Sequence, residues 1–199
     1  VVGDYLENHP LGRMEYIRLF GELAGKRAEA DSIFDFAKQE YISLKNRIMK
    51  ECGQDSGVRV LINSPFNGIW YIPGEDNYMS LLVKDAGGTI LGSRSGETGS
   101  GRMSIEKAYM NALEADIWLN PGDFTLESLA NINPLFANIP ALKNGMVYNN
   151  SRRHTPAGGS DFWETGAVEP HIVLKDLAMI FHPELRTAED TLKYHYKLR

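Results

Sequence analysis

The sequence predicts an α/β fold with a mostly parallel sheet, on three observations. Patterns of buried strands alternate with helical patterns from Gly57 onward. Ahead of them one amphipathic helical stripe runs for roughly 24 residues, about 36 Å at the helical rise per residue. The strand patterns stop at turns rich in Asn, Gly and Pro, and ligands sit at such strand ends in open α/β sheets.

Pro10, after His9, suits the first turn of a helix. Leu11, Met14, Ile17, Phe20 and Leu23 then recur at helical spacing, and Gly25 can end the element. In the next helix Ala30, Phe34, Ala37, Tyr41, Leu44 and Ile48 alternate by four and three. Asp31, Asp35, Lys38, Lys45 and Arg47 occupy its other face. Val58 to Asn63 reads as a buried strand and Ile69 to Ile72 as a second extended run. Residues 76–86 are amphipathic and close at Gly87-Gly88, followed by a short strand at Thr89-Ile90-Leu91. Ser104 can cap a helix that puts Ile105, Ala108, Tyr109 and Ala112 on one face. Residues 116–119 form another buried strand, stopped by Asn120-Pro121-Gly122. A short helix over residues 126–130, a last strand over residues 146–149 and a strong helix over Pro170–Phe181 complete the pattern. In that helix Val173, Leu174, Leu177 and Ile180 face inward. Parallel strands would bring residues 63–74, 120–123 and 149–164 to one edge of the sheet.

Composition narrows the function. At 199 residues the chain can bury a sizeable core. A net charge of −5, with mixed signs along the chain, disfavours nucleic acid as a partner. No run approaches the ~18 apolar residues of a membrane span. Cys52 is the single cysteine, so an intrachain disulfide is excluded. The opening, Val1-Val2-Gly3-Asp4-Tyr5-Leu6, is apolar and lacks both Met and a signal pattern. It reads as a mature or trimmed product that begins inside a larger protein.

Catalytic patterns are missing. Gly92-Ser93-Arg94-Ser95-Gly96 puts Arg94 where a nucleophile elbow needs serine. Glu75 and Asp76 suit a first helical turn better than acid–base work. The run Gly96 to Ser104 approaches a phosphate loop, but Arg102 and Met103 stand where Lys and Ser or Thr are needed. It reads as a surface loop leading into a helix. A phosphate- or nucleotide-dependent enzyme built on it is the rival reading. His9, His154, His171, His182 and His195 form no metal-ligand spacing, so no metal and no cofactor is expected. His182-Pro183 simply ends a helix.

A ligand-holding surface fits better than an enzyme. Trp70 and Tyr71 are adjacent, so in a strand they face opposite ways. Either one opens to the strand-end cleft or both pack inside. Asp161 and Trp163 lie in a Gly- and aromatic-rich loop, and Arg152 and Arg153 nearby can face an anionic ligand.

Three segments resemble a known family. They are His9-Pro10-Leu11-Gly12-Arg13-Met14-Glu15-Tyr16-Ile17, Asn67-Gly68-Ile69-Trp70-Tyr71-Ile72-Pro73-Gly74 and Lys84-Asp85-Ala86-Gly87-Gly88. They resemble the periplasmic substrate-binding proteins of ABC transporters for iron-siderophore, haem and cobalamin uptake. Residues 155–164 and 170–177, with His182-Pro183-Glu184-Leu185, resemble the C-terminal part of such proteins. Members have two α/β lobes joined by one long helix, with the ligand between them. The resemblance implies that residues 1–25 are the last strand and helix of an N-terminal lobe, and that residues 26–52 are the connecting helix. Residues 53–199 would then be a Rossmann-like three-layer C-terminal lobe.

The resemblance also implies function. The chain would contribute half of a cleft for an iron chelate (siderophore or haem) or cobalamin, handed to an ABC permease without covalent chemistry. Trp70, Tyr71, Arg152, Arg153, Asp161 and Trp163 fall in its ligand-facing loops. Glu106, in Ser104-Ile105-Glu106-Lys107, matches the segment that carries the acidic residue docking on the permease. The location implied is the periplasm, or the extracytoplasmic side as a lipoprotein. With half the cleft missing, this chain is expected to bind ligand weakly. The helix over residues 11–23, lacking its packing partner, is expected to drive dimerisation or fold back.

Overall fold

The first helix, α1 (Pro10–Leu23), starts at a histidine cap: His9 Nδ1 accepts from Leu11 N–H at 3.2 Å. The computed structural model describes residues 2–53 and 57–199, so the apolar opening at Val1 lies outside the described residues. Among the described residues no strand precedes α1, contrary to expectation; Asp4–Leu6 is a 3-10 turn. Arg13 explains it. Its guanidinium donates to Tyr5 O at 3.1 Å and to Glu7 O at 2.9 Å. Those carbonyls are taken by a side chain, not a ladder.

Gly25 adopts φ +68 and turns the chain into α2 (Arg27–Cys52). The apolar stripe of α2 behaves as its spacing predicts: Ala30, Phe34, Ala37, Tyr41 and Ile48 are buried and Leu44 is partly so. Asp31 and Asp35 of the polar face turn back to α1, each 2.8 Å from Arg18. Close approach of the two helices depends on Gly21. A Cβ there would meet Ala30 Cβ at 2.4 Å.

The sheet-forming part begins with β1 (Val58–Ile62) and β2 (Ile69–Pro73), then α3 (Tyr78–Asp85), β3 (Gly88–Ile90) and β4 (Ser100–Ser104). Next come α4 (Ile105–Ala112), β5 (Ile117–Leu119), α5 (Leu126–Ile132), α6 (Pro140–Lys143) and β6 (Val147–Asn149). The last elements are α7 (Thr165–Val168), α8 (Pro170–Phe181) and β7 (Tyr196–Lys197). The main sheet has the order β3-β1-β5-β6-β7. Its first four strands are parallel and β7 joins β6 antiparallel. The fold is therefore α/β with a mostly parallel sheet, as the alternation predicts.

Two elements differ from the sequence reading. The extended run at β2 is not in the main sheet. It pairs antiparallel with β4, Trp70 opposite Met103 and Tyr71 opposite Arg102. Part of the expected surface loop is thus a strand. Its polar, Gly-containing sequence carries no apolar alternation, and β2 supplies the buried side chains of the pair.

From β1 the chain moves outward to β3, then back across β1 to β5 and on to β6. Right-handed crossovers place α3 on one face and α4 to α6 on the other. α8 packs beside α3, with α2 against α8. Trp70, Trp118 and Phe136 form a fully buried aromatic trio with ring centroids 5.6 to 6.0 Å apart. The C-terminal segment is held by one buried carboxylate. Asp176 accepts from the backbone N–H groups of Lys193, Tyr194 and His195 at 2.8, 2.7 and 2.9 Å. Among the described residues, no helix is long and apolar enough to cross a membrane.

Candidate functional site

The chain leaves β1 toward one side of the sheet and β5 toward the other, so the crevice between their carboxyl ends is a topological switch point. Asn63 and Asn120 stand at those ends with φ of +62 and +53, a region that asparagine tolerates better than most residues. Asn149 ends β6. Two indoles hold the end of β1. Trp70 Nε1 donates to Ile62 O at 2.8 Å and Trp118 Nε1 to Asn63 O at 2.6 Å.

Hydrogen bonds join the three loops into one surface. Asn63 Nδ2 donates to Tyr71 O at 2.9 Å, and Ser64 Oγ donates to Pro121 O at 2.6 Å. The second loop meets the third through Asp123, which accepts from Ser151 Oγ at 2.8 Å and Asn149 Nδ2 at 3.2 Å. Ser160 Oγ closes the third loop on Asn150 O at 2.8 Å. Asn120 Oδ1 is buried and has no hydrogen-bond partner among the described residues. A tight turn at Asn67-Gly68, both at positive φ, holds Phe66 two-thirds exposed beside this surface.

The expected site residues divide. Trp70 is a correction: it is fully buried in the aromatic trio, and its indole N–H is taken by the backbone. Alternation leaves Tyr71 on the opposite side, half-buried. Asp161 is also largely buried, accepting from Thr165 Oγ1 at 2.6 Å and pairing with Arg153 Nη2 at 2.8 Å. Arg153 sits 5.0 Å above the Tyr194 ring and 3.8 Å from Glu169. This pair fixes the third loop, and its charges are already matched. Tyr194 donates a short hydrogen bond to Glu169; burial, then that carboxylate, pushes its hydroxyl well above the usual tyrosine range.

Arg152 and Trp163 remain available. Arg152 is exposed, has no ion-pair partner among the described residues and lines a hollow of about 640 Å³ with Phe124, Tyr196, Lys197 and Arg199. Trp163 is 53% exposed and stands edge-on against buried Phe162, centroids 4.8 Å apart. Glu106 lies in the first turn of α4, at the same sheet edge, because crossover helices run antiparallel to the strands. Its own backbone N–H and then the Ser104 hydroxyl hold its exposed carboxyl below the usual range.

The run Gly96 to Ser104 does not form a phosphate cradle. Its last five residues are strand β4, laddered to β2. Asn63, Ser64, Asn120, Asp123 and Asn149 lie in the three loops that the sequence brings to one edge, but no motif singles them out as site residues. Their one signal was the Asn that ends each strand pattern.

The structure is thus an α/β lobe with three hydrogen-bonded loops on one edge of its sheet. Residues 3–151 match the periplasmic binding protein family, and the chain belongs to that family. An uncharacterized lipoprotein of Methanocaldococcus jannaschii is 30% identical over 200 residues, covering 96% of this chain and 45% of the relative. A periplasmic haem-binding protein of Pseudomonas aeruginosa superposes with a TM-score of 0.64 at 15% identity, covering 92% of this chain and 63% of that one. The iron-uptake system-binding protein of Bacillus subtilis superposes with a TM-score of 0.56 at 22% identity, covering 82% and 58%. The chain spans about half the length of the curated relatives it matches. The family is one of binding proteins on the extracytoplasmic side.

Proposed function

We propose that this chain is the C-terminal lobe of a receptor that captures an iron chelate (siderophore or haem) or cobalamin for an ABC transporter. One observation carries the reading. Three loops at the switch point are hydrogen-bonded into a single wall that faces solvent. The haem- and iron-binding names of the solved neighbours support the ligand class. Residues 1–25 belong to the preceding lobe, 26–52 form the connecting helix, and 53–199 form the lobe itself. Trp163, Tyr71 and Phe66 cover apolar parts of the ligand. Arg152 pairs with its carboxylates or net negative charge. Arg153 and Asp161 hold the third loop in shape. Glu106, exposed and ionised, docks on the permease, and a lipid anchor like that of the archaeal relative keeps the receptor at the membrane.

The test is a titration of the longer protein, with its preceding lobe, against haem, ferric siderophores and cobalamin. Submicromolar binding of one of them is expected, weakened about tenfold or more by Arg152→Ala or Trp163→Ala. Glu106→Lys should leave that binding intact and abolish ligand-stimulated ATPase activity of the cognate transporter. Absence of binding for all three ligand classes sinks the reading.

A further inference from the structure

At the opposite edge of the sheet, a second group of side chains converges. Cys52 is the last residue of α2, His182 directly follows α8, and Glu184 lies in the turn Pro183–Leu185. Cys52 and Glu184 are 132 positions apart in sequence, yet Cys52 Sγ lies 4.0 Å from Glu184 Oε1. His182 Nδ1 lies 3.6 Å from the same oxygen, and all three ligand atoms fall within 4.8 Å of one another.

The imidazole is already oriented for ligation. His182 is 4% exposed, and its Nε2 lies 3.0 Å from Ala86 O. A carbonyl only accepts, so Nε2 carries the hydrogen, and Nδ1 points at Cys52 and Glu184. A ring nitrogen bound to a backbone carbonyl is the usual outer support of a metal-ligating histidine. At 3.6 Å, Nδ1 and Oε1 are too far apart for a hydrogen bond. They are close to the separation of about 3.3–3.6 Å between two ligands of a tetrahedral zinc ion. Glu184 is largely exposed and Cys52 ends its helix, so both can close the remaining distance.

We propose that Cys52, His182 and Glu184 bind one divalent zinc-class ion. A sulfur, nitrogen and oxygen donor set suits Zn²⁺ and excludes the oxygen-seeking Mg²⁺ and Ca²⁺. The thiol gives up its proton to solvent, and a thiolate with a carboxylate balances the ion's charge. Solvent fills the fourth position. Ala86 follows α3, whose C-terminal end lies at the amino edge of the parallel strands. The ion therefore sits away from the ligand loops and acts as a clasp, fastening the end of α2 to the ends of α3 and α8. It does not depend on the proposed cargo.

The reduced, metal-free chain would be titrated with Co²⁺ and then Zn²⁺. One equivalent of Co²⁺ should give thiolate-to-cobalt absorption in the near ultraviolet, which Zn²⁺ then displaces. Cys52→Ser should abolish that absorption, and Glu184→Gln, a change at an exposed position, should weaken binding by more than about tenfold. Zn²⁺ should raise the thermal midpoint of the chain and leave that of Cys52→Ser unchanged. Absence of the cobalt–thiolate band, or equal binding by the chain and Cys52→Ser, overturns the proposal.

Discussion

Asp176 shows how one residue can fix a whole segment. Its buried carboxylate is the acceptor for three consecutive backbone N–H groups, and His195 Nδ1 lies 3.2 Å away. Asp176→Ala would strand the buried N–H donors of Tyr194 and His195, and is expected to cost about 3–5 kcal/mol in urea unfolding. Trp70→Phe would leave Ile62 O without its indole donor and cost about 1–3 kcal/mol. Exposed Trp163→Phe should shift stability by less than about 0.5 kcal/mol. Similar costs for the two tryptophans would refute the core position assigned to Trp70. His171 gives a pH dependence. Burial, against the opposing pull of Glu169 and Glu40, pushes its imidazole below the ordinary value of 6.5. The unfolded chain then binds the proton more readily than the folded one below pH 6.5. Its contribution to stability is complete above that pH and fades as pH falls through the lowered folded value. Unfolding midpoints should therefore drop on acidification, and His171→Gln should flatten that drop over the same interval.

Among the elements, the contact of α1 with α2 tests propensity against packing. On an exposed helix, Gly→Ala gains about 1 kcal/mol. At Gly21 the new methyl would overlap Ala30 Cβ and crowd Lys26 O at 3.1 Å, so Gly21→Ala is expected to lose about 1–3 kcal/mol. Adding Ala30→Gly should recover part of the loss; a stabilised single variant would show that the helices sit further apart. The helices were legible because their information is local. The stripe from Ala30 to Ile48 and the inward face of Pro170–Phe181 repeat at the helical period, and both are buried as that period requires. The strands β1, β5 and β6 were legible as apolar runs closed by asparagine. β4 was not, because its residues owe their extended form to β2, some thirty positions earlier in the chain. The site was half legible for the same reason. Spacing placed the three loops on one edge, but pairing chose which side chains stay free. Arg153 is taken by Asp161 and Trp70 by the core, while Arg152 and Trp163 stay open. The Cys52–His182–Glu184 group was invisible to spacing, since only the fold brings its members together.

At the scale of the whole molecule, the surface reads as one side of something larger. α1 leaves Leu19 43%, Phe20 49% and Leu23 75% exposed, and α2 adds Ile33 at 51% and Phe36 at 61%. Large apolar side chains left exposed along a helix are the kind of surface that a partner covers. The chain also spans about half the length of its curated relatives. If a preceding lobe covers α1, two results follow together. The 199-residue chain should self-associate through α1, and Phe20→Glu combined with Leu23→Glu should return it to a monomer in sedimentation equilibrium. That monomer should bind haem, ferric siderophores or cobalamin more weakly than the longer protein by several kcal/mol, because one wall of the cleft and its contacts are absent. The longer protein should sediment as a monomer whether or not those two residues are changed. A 199-residue chain that stays monomeric at all concentrations would show that α1 needs no cover. Submicromolar binding by that monomer would mean that the wall built from the three loops is a complete site, and the half-cleft reading would fail with it.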